Sequence, residues 1–252
     1  MAAMQRALLI TGASRGIGAA TARLAAERGW DVAVNYRRDA DAAAEVVEQV
    51  RARGRRAIAL CADVSVEAGV LRLFDAVDRE FGATLRGLVN NAGIVDVAAR
   101  LQAMSAERMT RMFAVNAIGP MLCAREAVRR MSTGRGGAGG VIVNVSSAAA
   151  RGGGANQYVD YAASKGAIDT FTIGLAKEVA AEGIRVNAVR PGITDTEIHA
   201  SGGQPDRAWQ LAPQIPMQRP GTAEEIAHAI VWLLSDEASY TTGALLDVGG
   251  GR

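Results

Sequence analysis

The chain is short of several residue types, and each shortage closes off a class of protein. It has two cysteines, Cys61 and Cys123, with no Cys-x-x-Cys spacing, and two histidines, His199 and His228. So few thiols and imidazoles build neither a metal cluster nor a disulfide framework; both cysteines read as reduced, buried small hydrophobes of a cytosolic protein. No apolar run approaches the ~20 residues that span a bilayer. Met1–Arg6 carries one basic residue, and the apolar run behind it, Ala7–Ile10, is too short for a signal-peptide core. Lysine is the scarcest commodity. Of 28 basic residues only Lys165 and Lys177 are lysines, the other 26 being arginines. Against 26 acidic residues the formal net charge is +2, without the dense basic patch of a nucleic-acid binder. The expectation is a cytoplasmic protein that engages neither nucleic acid nor membrane.

What remains is ordinary globular material: 252 residues, 49% hydrophobic and 21% charged, enough for one large core in one domain, 1–252. Short aliphatic runs at Ala7–Ile10, Asp31–Tyr36, Ala57–Leu60, Gly87–Asn90, Val141–Val145, Arg185–Val189 and Ala244–Val248 alternate with Ala-rich stretches of helical period. The latter are Ile17–Arg28, Ala40–Arg53, Val66–Phe81, Ser105–Met131, Tyr158–Glu182 and Ala223–Leu234. Nearly all-apolar strands separated by helices are covered on both faces, which predicts an α/β doubly wound parallel sheet of seven strands. Thr222 followed by Glu225 reads as a capping box. Thr133–Gly140 is Gly-rich but runs helix to strand, the wrong direction for a phosphate loop, and is read as a connector. Residues 192–220 hold four of the six prolines and Trp209 and follow a strand's C-terminal end, where open α/β sheets bind ligands; they read as a substrate lid.

Three clusters carry chemistry. The first strand ends in Thr11-Gly12-Ala13-Ser14-Arg15-Gly16-Ile17-Gly18 and opens into a helix. Glycines there admit a pyrophosphate to free N–H groups at a helix N-terminus. Gly12–Gly16 also spells Gly-x-Ser-x-Gly, but a nucleophile elbow needs several strands and an oxyanion loop upstream, and only eleven residues precede Gly12. At the tip of the second strand, where an acid would grip the 2′-hydroxyl of NAD, stand Asn35-Tyr36-Arg37-Arg38. Missing carboxylate and added guanidinium, with Arg15 closing from the glycine turn, favour the 2′-phosphate of NADP over NAD. Third, Tyr161 and Lys165 stand at i and i+4 on one helix face. The other three tyrosines have alanine at i+4. Bringing a phenol from about 10 toward 7 takes about 4 kcal/mol; an ammonium at about 4–5 Å contributes about 3–4 kcal/mol at an effective dielectric near 20. The fifth run ends in Val145-Ser146-Ser147, delivering two hydroxyls to the same edge of the sheet.

In these positions the chain resembles the short-chain dehydrogenase/reductase family from end to end. The resemblance rests on Thr11–Gly18, Asp63-Val64, Asn90-Asn91-Ala92-Gly93, Asn116, the serine pair, Tyr161/Lys165 and Pro191-Gly192-Ile193-Thr194. It implies a Rossmann fold and an NADP-dependent oxidoreductase acting on a small carbonyl or alcohol, with sugar-dehydrogenase-like and 3-oxoacyl-reductase-like members equally close. By the same resemblance Tyr161 exchanges the proton, Lys165 lowers its pKa and holds the nicotinamide ribose, Asn116 positions a relay water, and the serine role falls on Ser147 before Ser146. Gly12, Ser14, Arg15, Gly16, Ile17 and Gly18 would cradle the pyrophosphate, with Tyr36 and Arg37 beside the ribose phosphate. Asp63 and Val64 would flank the adenine; Asn90, Ala92 and Gly93 would line the cofactor channel; Pro191, Gly192, Ile193 and Thr194 would face the nicotinamide. His199, Trp209, Met217, Asn156, Gln157 and Tyr158 would shape the substrate pocket. A homotetramer packed through 105–131 and 158–182 is also implied. The competing class is a sensor or scaffold that binds NADP without catalysis. Two departures stand out: Ser147 precedes Tyr161 by 14 residues, pointing to a lengthened Gly152–Gly154 loop, and the last strand reads Asp247-Val248-Gly249-Gly250 where Val-Asp-Gly-Gly is common.

Overall fold

The computed structural model describes residues 6–252; residues 1–5, most of the stretch read above for an export signal, lie outside the described residues. The strands are β1 (Ala7–Ile10), β2 (Asp31–Tyr36), β3 (Ala57–Cys61), β4 (Leu85–Asn90), β5 (Gly140–Val145), β6 (Ile184–Pro191) and β7 (Leu245–Val248). They form one sheet in the order β3-β2-β1-β4-β5-β6-β7, parallel throughout. The helices are α1 (Gly16–Glu27), α2 (Ala40–Arg51), α3 (Glu67–Phe81), α4 (Ala106–Phe113), α5 (Gly119–Met131), α6 (Ala149–Gly152), α7 (Val159–Val179), α8 (Ile198–Ser201), α9 (Arg207–Gln210) and α10 (Ala223–Leu234).

Alternation along each strand builds both layers. In β1, Leu8 and Ile10 enter the core beneath α1, α2 and α10, while Ala7 and Leu9 enter the core beneath α3, α5 and α7. Strand order reverses between β1 and β4, so the crevice at their C-terminal ends is the place where such a sheet takes a ligand. The anticipated capping box closes the start of α10, Thr222 accepting from the Glu225 N–H and Glu225 from that of Thr222.

Elsewhere the structure amends the reading. The stretch 105–131 is not one helix: α4 and α5 are joined by a π-helical turn, Ala114–Ile118, centred on Asn116. The expected loop before Tyr161 contains the short helix α6, closed by Gly153 in the left-handed region. The region after β6 is pinned at its neck by a bridge between Thr194 and Gly221 and carries α8 and α9 between. The exchanged Asp-Val order keeps a tail contact, since a side chain on Gly192 would lie 2.6 Å from the Gly249 Cα.

The cysteines are the clearest correction. Cys123 is buried as expected, but Cys61 is exposed. It is the last residue of the edge strand β3, which only β2 flanks. Burial pushes the Cys123 thiol up to about 12, which removes its nucleophilic form at neutral pH. Iodoacetamide at pH 8 is expected to add one carbamidomethyl group to the native protein, at Cys61, and two after denaturation; intact mass with peptide mapping checks this.

Candidate active site

The glycine turn is shaped by what lies against it. Gly12 has φ +63°, and a Cβ there would stand 2.9 Å from the Ala92 Cα; at Gly18 it would stand 2.6 Å from both the Asn91 Nδ2 and the Gly12 carbonyl. Neither position admits a side chain. Thr11 ties the turn to the loop after β4, its hydroxyl accepting from the backbone N–H of Asn91 and of Ala92, each at 3.0 Å. Asn91 returns the contact, donating to the Thr11 and Gly12 carbonyls at 2.9 and 2.8 Å. Asn35, buried at the tip of β2, accepts from the Gly12 N–H and donates to the Leu60 and Ala62 carbonyls. Sequence reasoning passed over the roles of Thr11, Asn35 and Asn91 as braces; the buried amides at strand tips were the available signal. The first turn of α1 has no side-chain cap and no acidic residue. A bare helix start over a turn too tight for side chains fits a pyrophosphate.

At the β2 tip, Arg15, Arg37 and Arg38 are all exposed. Arg37 is not free, since its Nε pairs with the Asp63 carboxylate at 2.9 Å. Burial pushes the Asp63 carboxyl up, but hydrogen bonds from Ser65 and the charges of Arg37 and Arg38 outweigh it and hold it below the usual range. Val64 beside it is packed in the core. Asn90 turns away from the crevice: its amide donates to the Pro120 carbonyl and to Asn144, which in turn donates to Thr172. It joins β4, β5 and α7 rather than lining a channel with its side chain.

The tyrosine, lysine, serine and asparagine do converge. Lys165 is 5% exposed, and its ammonium donates to the Val145 carbonyl at 2.7 Å. A Cβ on Gly93 would lie 3.5 Å from the Asn116 Oδ1 and 3.6 Å from the Lys165 Nζ, so the loop after β4 passes directly beside both. The side chain of Asn116 is fully buried. It accepts from the Ile94 N–H at 2.8 Å and donates to the Ile94 carbonyl at 2.9 Å and the Ser164 hydroxyl at 3.2 Å. The π turn thus aims Asn116 at that loop, as π turns often do at functional sites.

The Lys165 Nζ stands 5.8 Å from the Tyr161 ring centroid. Burial raises the Tyr161 hydroxyl above its ordinary value; the facing Ser147 hydroxyl and the charge of Arg207 pull the other way without reversing it. Burial brings Lys165 down to about 8, against an upward pull from Asp169. Ser147 faces Tyr161, whereas Ser146 is buried and turned elsewhere, its hydroxyl 2.6 Å from the Asp169 carboxylate. Asp169 also holds Arg190 through two nitrogens, at 3.0 and 2.9 Å. The sequence pair Ser146-Ser147 therefore divides its labour, one hydroxyl to the site and one to the ion pair behind it.

Ile193 and Thr194 are fixed by the neck of the 192–220 segment, the Ile193 carbonyl accepting from Gly221 and the Thr194 carbonyl standing 2.9 Å from His199 Nε2. Burial lowers the proton affinity of His199, and the nearby Arg207 charge adds to the effect. Trp209 Nε1 donates to Asp195, and Arg207 lies over the ring of Tyr158. No group of metal-ligating side chains forms among the described residues, and no described helix is long and apolar enough to cross a membrane.

Known proteins resemble this chain over nearly its whole length. The family model for enoyl-(acyl carrier protein) reductase matches residues 12–252. The uncharacterized oxidoreductase YgfF of Escherichia coli (strain K12) is 54% identical over 97% of this chain and 98% of its own. The cis-4-hydroxycyclohexanecarboxylate dehydrogenase of Sinomonas cyclohexanicum is 42% identical over 98% of this chain and 96% of its own. A short-chain dehydrogenase from Burkholderia cenocepacia, solved in complex with NADP, superposes with a TM-score of 0.87 at 35% identity, covering 98% of this chain and 97% of that one. Likeness of this extent, over nearly the whole chain, means that the chain belongs to the short-chain dehydrogenase/reductase family.

Proposed function

We propose that the protein is an NADP-dependent oxidoreductase that interconverts a carbonyl and a secondary alcohol on a small molecule. The observation that carries this reading is the convergence of the Tyr161 and Ser147 hydroxyls at the C-terminal end of β5, with the Lys165 ammonium buried one helical turn away. Two hydroxyls meeting at one point suit an oxygen that gains negative charge as its carbon is reduced. A sensor that only bound the dinucleotide would need neither.

The bound dinucleotide supplies the hydride; the chain's own residues manage the proton and the charge. Tyr161, with its hydroxyl above the ordinary value, is a neutral phenol at pH 7 and donates its proton to the substrate oxygen during reduction. Ser147 donates to the same oxygen. Lys165, near 8, is mostly an ammonium at pH 7 and steadies the tyrosinate left behind. Asn116 braces the Gly93–Ile94 loop against this group. The uncapped start of α1 takes the pyrophosphate, and Arg15 and Arg38, neither with an acidic partner within 4.0 Å among the described residues, are available for a ribose 2′-phosphate. Arg37 joins them by exchanging Asp63 for that phosphate. NADP preference is supported further by the solved Burkholderia relative, and action on a ring hydroxyl by the Sinomonas dehydrogenase. The remaining assignments at Ile17, Tyr36 and Ile193 are part of the same proposal, as is the lid role of 192–220. Exposed Phe113, Ile118 and Ile173, on α4, the π turn and α7, support assembly as a homotetramer through those elements; a cytoplasmic location completes the reading.

Tyr161→Phe is expected to bind NADPH as the parent does, by fluorescence titration, while kcat falls on the order of 100-fold or more; a phenylalanine variant that still turns over would overturn the proton assignment. NADPH is expected to exceed NADH in kcat/KM. Arg15→Ala should cut the NADPH value roughly 10-fold or more and leave NADH within about 2-fold, as expected for loss of a charged hydrogen bond. An NADH value equal to or above that for NADPH in the parent enzyme refutes the phosphate-binding role.

A further inference from the structure

Several arginines on the segments around the crevice are matched to carboxylates. Arg108 pairs with buried Asp160 at 2.8 Å, Arg111 pairs with Asp96, and Arg151 pairs with Asp247 at 3.3 Å. Arg207, at the start of α9 in the 192–220 segment, is not. Among the described residues it has no carboxylate within 4.0 Å. Its guanidinium lies 5.1 Å from the ring centroid of Tyr158, and one terminal nitrogen donates to the Gln157 side chain at 2.9 Å. Gln157 and Arg207 share one concave patch with Gln204, Gln210, Leu211 and the carboxylate-bearing Asp206. Of the acids in its own segment, Asp195 accepts from the Trp209 indole, and Asp206 is exposed and forms no ion pair with it. Tyr158, whose ring Arg207 covers, is the N-cap of α7 and stands three residues before Tyr161. His199 has its Nε2 on the Thr194 carbonyl, and Arg219 is held by Glu225 at 2.6 Å, so Arg207 is the one arginine of this segment with no carboxylate partner among the described residues.

A guanidinium lodged over an aromatic ring, with one donor occupied and no carboxylate on the rest of its fork, is prepared for a planar anion. Resting on the oxidoreductase reading above, we infer that the substrate bears a carboxylate, and that Arg207 binds it while the carbonyl or hydroxyl carbon lies at Tyr161 and Ser147. Arg207 is then a specificity-determining residue, and the 192–220 segment recognises charge as well as covering the crevice. Apolar Val97, Leu101, Trp209 and Met217 are exposed on the flanking segments, which suits a carboxylate carried on a hydrocarbon body.

The test uses the full-length enzyme with NADPH and a set of 3-, 4- and 5-oxo carboxylic acids, linear and cyclic, each beside its methyl ester, together with neutral ketones and aldehydes. The expected result is a kcat/KM for the preferred acid roughly 10- to 100-fold above its ester, the range of one charged hydrogen-bonded contact. Arg207→Gln should collapse that ratio to about 1, mainly through KM, and Arg207→Lys should restore part of it. If Arg207 merely fastened its segment to Gln157, acid and ester would fall together and the ratio would stand; that outcome overturns the inference. Reduction of neutral carbonyls as efficiently as the acids by the parent enzyme overturns it too, while leaving the oxidoreductase reading intact. Failure to oxidise NADPH with any carbonyl in the set, despite measured NADPH binding, would instead count against the oxidoreductase reading itself.

Discussion

One buried ammonium organises the site. An ionised amine withdrawn from water is costly unless its protons are satisfied and an opposite charge stands near. Lys165 meets both conditions through the Val145 carbonyl and through Asp169, one turn along α7. Much of the surrounding structure follows from keeping that charge in place. The end of β5 supplies the accepting carbonyl, the Ser146 hydroxyl ties the same strand end to Asp169, and Arg190 neutralises Asp169 from β6. Gly93 leaves room beside the ammonium that a larger side chain would fill.

A second principle is the way neighbouring strand ends are laced by short polar side chains. Thr11, Asn35 and Asn91 join the first, second and fourth strands around the glycine turn. Asn90, Asn144 and Thr172 join the fourth and fifth strands to α7. Asn144 is satisfied at both ends and Asn90 through its N–H groups, and buried amides held this way are rigid, because freeing a bonded end leaves an unpaired polar group in the interior. The crevice is therefore preformed by contacts that involve no ligand.

The element types, the parallel sheet and the tyrosine–lysine pair were legible because they are local: alternation, helical period and i, i+4 spacing are written in consecutive residues. What escaped was non-local. The π turn at Ala114–Ile118 lies inside an unbroken helical pattern, and only the demand that Asn116 reach Ile94 distinguishes it. The exposure of Cys61 depends on β3 being an edge strand, which strand order decides and composition does not. The spacing of Tyr161 and Lys165 along a helix fixed a shared face but not the rotamer, so the bond from the amine to the Val145 carbonyl could not be read from it. Asn90 was placed in the channel by resemblance, yet its side chain follows the strand's alternation into the interior.

The near-absence of lysine has a consequence for how the molecule meets reactive small molecules. Lys165 is enclosed, and Lys177, on the outer face of α7, is the one lysine side chain left exposed. Acylating metabolites, aldehydes and amine-directed reagents that decorate most proteins at many points find a single ε-amine on this surface. A chain charged with guanidinium groups stays ion-paired while offering amine-directed electrophiles almost nothing, a useful property for a protein whose own chemistry would handle carbonyl compounds.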